Sequence, residues 1–294
     1  MKILLTGGNG QVGWELARAL LPLGEVIAVD RSQADLADPD GLRRVIQKFS
    51  PDVVVNPAAY TAVDKAETDR ESAFLVNAEA PRVLAEEAAK NSALLVHYST
   101  DYVFDGTKNA PYTEDDATHP LNVYGQSKLA GEQAIQATGA DHLILRTSWV
   151  YAARGQNFLR TILRLAAERE ELNIVADQIG SPTWARLIAE ATAHIVRQAL
   201  LERQQGSFSS GIYNLTSTGE TSWHGFAQAI VEIARQQGQP LKNRAIHPIP
   251  TTDYPVPAKR PLYSRLSMDR LERRFGLKMP SWDSALKLCM GDML

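Results

Sequence analysis

The stretch Gly7-Gly8-Asn9-Gly10-Gln11-Val12-Gly13 decides the fold. It follows the apolar run Ile3-Leu4-Leu5 and opens a segment in which Val12, Leu16, Leu20 and Leu23 recur at near-helical spacing. A strand, a glycine turn and a helix thus meet at one point. Glycines let the backbone approach a diphosphate, and free N–H groups at a helix start point at it. The glycines fit two registers, G-x-G-x-x-G from Gly8 and G-x-x-G-x-x-G from Gly7. Such turns also join strands to helices where nothing binds, so the rest of the chain must support the reading.

Working outward, short apolar runs at 3–5, 26–29, 53–55, 94–96 and 142–145 read as strands, and 11–22, 40–49, 68–91 and 124–138 read as helices. Strand and helix in alternation predict an α/β fold, a Rossmann-type doubly wound parallel sheet. Ligands on such sheets gather outside the carboxyl ends of the strands. That rule selects the loops after residues 5, 30, 55, 97 and 146. Beyond residue 150 the pattern is less regular, with helices expected at 157–171, 184–204 and 223–238 and a strand at 212–215. The proline-rich segment 247–262 reads as an irregular loop. The expected division is a dinucleotide-binding domain over 1–150, to which 184–215 returns, and a smaller substrate-binding lobe from 151–183 and 216–294.

The 294 residues are 44% hydrophobic and 22% charged, which suits a soluble globular chain. A net charge of -3 argues against a nucleic-acid partner. The one cysteine, Cys289, allows no internal disulfide and no thiolate cluster for a metal. No apolar stretch is long enough to span a bilayer, and the glycines interrupt the start too soon for a signal peptide. The expectation is a cytoplasmic protein with no membrane association.

The second strand ends in Asp30-Arg31, about 20 residues after the glycines, where an acidic residue binds adenosine ribose hydroxyls. Asp30 favours NAD, and Arg31 suits the 2′-phosphate of NADP. Asp35 and Leu36 are placed to flank the adenine. Small residues in Asn56-Pro57-Ala58-Ala59-Tyr60-Thr61 let a cofactor lie close to the backbone after the third strand. The fourth strand ends His97-Tyr98-Ser99-Thr100-Asp101, and Tyr124-Gly125-Gln126-Ser127-Lys128 follows. Tyr124 and Lys128, four apart, share a helix face. A phenol titrates at about 10, so it is a poor acid near neutrality unless a nearby cation lowers that value. The expectation is that Lys128, together with the positive charge of an oxidised nicotinamide, does so. Tyr124 can then protonate a carbonyl oxygen while Thr100 donates to the same atom. His97 reads as a packing residue, and Asn77 as a brace for backbone near the site.

This combination resembles the extended short-chain dehydrogenase/reductases and, more narrowly, their dTDP-4-dehydrorhamnose reductase family. The resemblance covers nearly the whole chain. It rests on Gly10-Gln11-Val12-Gly13-Trp14-Glu15-Leu16, Ala62-Val63-Asp64-Lys65-Ala66-Glu67, 97–104, Leu121-Asn122-Val123-Tyr124-Gly125, 146–151, Arg260-Pro261 and Ser264-Arg265-Leu266. It implies reduction of a 4-keto nucleotide deoxysugar to dTDP-L-rhamnose by NADPH or NADH. Tyr124 is then the proton donor, Lys128 holds the nicotinamide ribose, and Thr100 adjusts the tyrosine. The family's cofactor positions fall on Gly10, Gln11, Val12, Asp30, Asp35, Leu36, Ala59, Tyr60, Thr61 and Tyr98. Its sugar contacts fall on Thr100, Asp101 and Trp149.

Some members form a homodimer with magnesium held by glutamates. Glu15 matches one of them, but Arg186 and Asp292 stand where others are expected. An arginine cannot ligate magnesium, so an Arg186–Glu15 contact is expected in its place. Arg260, with Arg265, is placed to face the substrate diphosphate. Arg270, Arg273 and Arg274 read as a solvated helix face, and Trp184, Trp223 and Trp282 as packing residues. A dehydratase or epimerase on the same scaffold and a non-catalytic dinucleotide-binding subunit are the competing readings. Against a dehydratase, Tyr102 follows Thr100-Asp101 where related dehydratases carry a glutamate.

Overall fold

The structure is a computed structural model and describes residues 1–293. Its centre is an all-parallel sheet of β1 (Lys2–Leu5), β2 (Glu25–Ala28), β3 (Val53–Asn56), β4 (Leu94–Thr100), β5 (His142–Thr147) and β6 (Gly211–Asn214). The spatial order is β6-β5-β4-β3-β1-β2. Chain direction across the sheet reverses between β1 and β3, which is where a doubly wound sheet opens its ligand crevice. Val53, Val54 and Val55 are all fully buried, because helices cover both faces and neither side of the strand meets water.

One face packs on α1 (Gln11–Ala19) and the other on α2 (Pro39–Phe49) and α3 (Ala80–Lys90). Helix α4 (Val123–Ala137) lies against α3, and its first turn faces the end of β4. After β5 the chain forms α5 (Phe158–Glu168) and then α6 (Ala185–Gln204), which packs on α1. Helices α7 (Trp223–Gln236) and α8 (Trp282–Gly291) join α5 around a separate core that includes Tyr151, Phe226 and Leu286.

Two expectations need correction. The helix expected over 68–91 is broken into Arg70–Phe74, a π-helical turn at Leu75–Glu79, and α3. Pro81 explains the break: its ring would strike the carbonyl four residues back, that of Asn77. The wider turn turns this carbonyl outward, towards α4. There a Cβ on Gly131 would lie 2.1 Å from the Asn77 oxygen. The second correction is at 247–262, where Ala245–Ile249 pairs in parallel with Glu171–Val175. Pro248 is tolerated because the ribbon has only two strands, leaving an edge where its missing N–H costs no ladder bond.

Gly131→Ala is expected to destabilise the protein by about 1–3 kcal/mol through overpacking, seen as a lower urea midpoint with an unchanged m-value.

Candidate active site

The glycine turn is built for close approach. Gly7 has φ +59°, and a Cβ there would lie 2.9 Å from the Ala58 Cβ. A Cβ on Gly13 would lie 2.0 Å from the Gly7 carbonyl oxygen, so only glycine lets α1 start against the turn. No side chain caps α1 at Gly10, so its first N–H groups have no internal acceptor. Gln11 Oε1 is buried without a partner. Asp30 accepts from Asn9 Nδ2 at 3.0 Å, Ser32 N at 2.9 Å and Ser32 Oγ at 2.6 Å. These bonds, those of Ser32 first, hold its carboxyl below the usual range. Arg31 lies in solvent, 3.2 Å from Asp35. A cleft of about 400 Å³ runs from Gly7 past Asp35 and Leu36 to Ala59 and Tyr60. Uncapped donors, an orphaned amide oxygen and a floor without side chains fit a dinucleotide.

Asn77, inside the π turn and fully buried, fixes the far wall. Its Oδ1 accepts from Tyr60 N at 2.8 Å, and its Nδ2 donates to Tyr60 O and to Ser127 Oγ, each at 3.0 Å. One amide thus ties the loop carrying Ala59, Tyr60 and the exposed Thr61 to the helix carrying Tyr124 and Lys128.

The end of β4 brings Thr100, Tyr124 and Lys128 together. Thr100 Oγ1 donates to Asp101 Oδ1 at 3.1 Å and accepts from Tyr102 N at 3.1 Å. Desolvation pushes the half-buried Tyr124 up to about 12, partly offset by the neighbouring Thr100 hydroxyl. The expected depression by Lys128 is absent. Lys128 Nζ turns instead to Tyr98 O at 2.6 Å and His97 Nε2 at 3.2 Å, and burial pushes it down to about 8. Tyr98 offers only this carbonyl, since its side chain is buried with its hydroxyl 2.7 Å from Thr192 Oγ1. Asp101 is 2% exposed with Oδ2 unpartnered, and burial raises it to about 7.

On the substrate side, Trp149 adopts φ +47°, a left-handed conformation uncommon outside glycine. Its indole stacks on Trp223 at 3.6 Å and 5°. Gly180 leaves room behind it, for a Cβ there would lie 2.6 Å from the ring. Trp223 also borders a groove of about 580 Å³ that reaches Gln178, Tyr254 and Arg260. Arg260 does not stand free, as expected from the sequence: its Nη1 and Nη2 donate to Asp64 at 3.1 and 2.8 Å. Asn122 makes two contacts, accepting from Gly125 N at 2.8 Å as the cap of α4 and donating to Lys259 O at 2.8 Å. Arg265 pairs with Glu220. Arg270 and Arg274 are not simply solvated, for they pair with Asp115 and Glu202. Trp184 and Trp282 pack in the separate core around Tyr151, Phe226 and Leu286.

Arg186 Nε donates to Glu15 Oε2 at 3.3 Å and its Nη1 pairs with Asp292. Among the described residues no group of three or more His, Cys, Asp or Glu side chains is placed to hold a metal ion. Among the described residues no helix is long and apolar enough to cross a membrane.

Sequence reasoning missed the Asp64–Arg260 pair and the second contact of Asn122, which join residues too far apart for local spacing to reveal. The cap itself was signalled by an Asn just before a helix.

Asp101 gives a testable pH dependence. Its raised value means that the native state binds more protons than the unfolded state between about pH 4 and 7. Native stability therefore falls as pH rises through that window. Asp101→Asn removes this dependence. Its stability relative to wild type is expected to improve by up to about 4 kcal/mol between pH 4 and pH 8 in urea titrations.

The whole chain, residues 1–294, matches the family model described as the RmlD substrate binding domain. The dTDP-4-dehydrorhamnose reductase of Burkholderia thailandensis is 58% identical over 296 residues, spanning 100% of this chain and 99% of its own. The crystal structure of dTDP-4-dehydrorhamnose reductase from Bacillus anthracis, a complex with NADP, is 34% identical with TM-score 0.88 and covers 99% of both chains. An ortholog from Clostridium acetobutylicum is 35% identical with TM-score 0.90, covering 100% of this chain and 99% of its own. With the glycine turn and the Thr100, Tyr124 and Lys128 cluster in place, the chain belongs to the dTDP-4-dehydrorhamnose reductase family of extended short-chain dehydrogenase/reductases.

Proposed function

We infer that this protein reduces the 4-keto group of dTDP-4-dehydro-β-L-rhamnose to dTDP-L-rhamnose with NADPH or NADH. The observation that carries the reading is the meeting of Thr100, Tyr124 and Lys128 at the carboxyl edge of the sheet, beside the glycine turn.

In the proposed reaction a bound nicotinamide supplies the hydride. Gly7, Gly10, Gln11, Val12 and Gly13 hold its diphosphate, and Asp30 the adenosine ribose. Tyr124 delivers a proton to the developing alkoxide. A phenol held near 12 is fully protonated at neutral pH, which is the form an acid requires. Turning from Asp101 to Tyr124, the Thr100 hydroxyl then stabilises the phenolate left behind. Lys128 presents a nitrogen to the nicotinamide ribose from a fixed position. Trp149, braced by Trp223, forms the wall on which the sugar rests, and the groove beyond it accommodates the nucleotide. Arg260 is held beside this groove by its two bonds to Asp64, which leave further guanidinium N–H groups to meet a diphosphate. A buried lone cysteine fits a reducing cytoplasm.

Against a dehydratase, Tyr102 sets its ring edge-on to Tyr124 at 5.8 Å, where a second carboxylate would have to act. An epimerase returns its nicotinamide unchanged, so net consumption of NADPH separates the two reactions. A non-catalytic dinucleotide-binding subunit would bind NADPH and turn over nothing.

Incubation of the pure protein with the dTDP-4-dehydro sugar and each reduced cofactor, followed by product analysis, tests the assignment. dTDP-rhamnose should form with equimolar NADPH or NADH oxidised. Tyr124→Phe is expected to bind NADPH normally and to lose about 10²–10⁴ in kcat. Asp30→Ala is expected to raise the Kd for NADH more than that for NADPH, measured by fluorescence titration; an equal loss would remove the ribose contact.

A further inference from the structure

The loop that leads into α5 lies against the glycine turn, although the two are far apart in sequence. Val150–Tyr151 pairs with Thr183–Trp184, and residues 152–157 then run as a loop to Phe158. Asn157 fixes this loop. Its Nδ2 donates to Ala152 O at 2.9 Å and to Arg154 O at 3.0 Å, while its Oδ1 caps α5 by accepting from Arg160 N at 3.2 Å. Arg160 Nη1 donates to Ala153 O at 2.8 Å, so successive carbonyls are tied down. Gly155 follows at φ +71°, and a Cβ there would lie 3.8 Å from Gln11 Cγ.

Arg154 is exposed, with its guanidinium carbon 3.3 Å from the centre of the Trp14 ring. Trp14 closes the first turn of α1, for its N–H donates to Gly10 O at 2.9 Å. Helical side chains lean towards the N-terminus, so the indole covers the turn whose leading N–H groups are uncapped. Arg154 is carried there with it. A stacked guanidinium uses its face on the ring and keeps its N–H edge for an acceptor. Among the described residues Arg154 has no ion-pair partner, and Glu15, next to Trp14, is taken by Arg186 at 3.3 Å. Arg18 shares the indole at 3.6 Å, its Nη1 donating to Trp14 O at 2.6 Å. Two cations on one ring repel each other, and an anion at the turn relieves that repulsion.

We propose that Arg154 is a cofactor-binding residue: it presents its N–H edge to the diphosphate of the bound dinucleotide and neutralises part of its charge. The role deepens the reductase reading, on which it rests. The glycine turn itself offers only uncharged N–H groups, and Asp30 adds a negative charge to the same crevice. Lys128 stands at the nicotinamide end and Arg31 in solvent beside the adenosine end, so the middle of the cofactor is where a cation is wanted. Trp14 and the tied loop hold the guanidinium in place beforehand, so little freedom is lost on binding. The diphosphate is common to NADH and NADPH, and Arg154 serves both alike.

The test is calorimetric titration of the whole protein with NADH, NADPH and ADP-ribose, which needs no keto sugar. Arg154→Ala should raise all three Kd values by about tenfold, the worth of one charge-assisted hydrogen bond. The loss should shrink between roughly 0.05 and 0.5 M salt, because ions screen an exposed charge. Arg154→Lys, which keeps the charge without the planar fork, should recover part of the affinity. Both variants alter an exposed loop residue, and an unchanged urea midpoint shows that they fold. Equal affinities in Arg154→Ala and wild type overturn the proposal and leave the stack as a loop anchor. A loss confined to NADPH also overturns it, since it moves Arg154 to the 2′-phosphate. A loss that ignores salt and is not recovered by lysine does the same. Wild type that binds none of the three ligands removes the reductase reading itself, which separates that failure from the others.

Discussion

Lys128 is 2% exposed, and its Nζ lies 2.6 Å from the Tyr98 carbonyl oxygen at the end of β4. A lysine taken so far from water must find polar partners or lose its charge. Here it finds them, while burial brings its value down to about 8, and the consequence is positional. Helix α4 is pinned to the strand end, so Tyr124, one turn earlier, has to stand beside Thr100. The helix reaches this depth only because Gly131 carries no side chain against the Asn77 carbonyl, and because Asn77 braces the neighbouring loop.

The rest of the molecule arranges reagents around that fixed point. Apolar clusters on both faces of the sheet hold the strand ends level, so the glycine turn, Asp30 and the Ala59–Tyr60 loop open into one crevice. Trp149, just past β5, and Trp223, at the start of α7, form a stacked wall. Burial favours the neutral form of both helix groups, and so moves Tyr124 up and Lys128 down. The acid is thus kept loaded by low polarity, and its conjugate base is stabilised chiefly by the Thr100 hydroxyl.

Much of this was legible in the chain. The glycine turn, five of the six sheet strands by their apolar runs, the later strand at 212–215 and the helical Tyr124–Lys128 spacing all follow from local pattern, because local pattern reflects which side of an element meets water. The π turn was hidden, since Pro81 forces it only in combination with a helix packed alongside. The strand at Ala245–Ile249 was masked by Pro248, which an edge tolerates. The direction of the Tyr124 shift was misread because spacing shows that two groups share a face, whereas titration depends on where Nζ points and how little water is left. Arg260 borders the groove beside Trp223 but is held there by Asp64. Its partner Asp64, nearly two hundred residues away, left no trace in local sequence.

Asn122 has a consequence beyond its bond lengths. Its side chain closes the start of α4 with one end and grips the Lys259 carbonyl with the other, so a single amide couples the turn on which Tyr124 sits to the segment that carries Arg260.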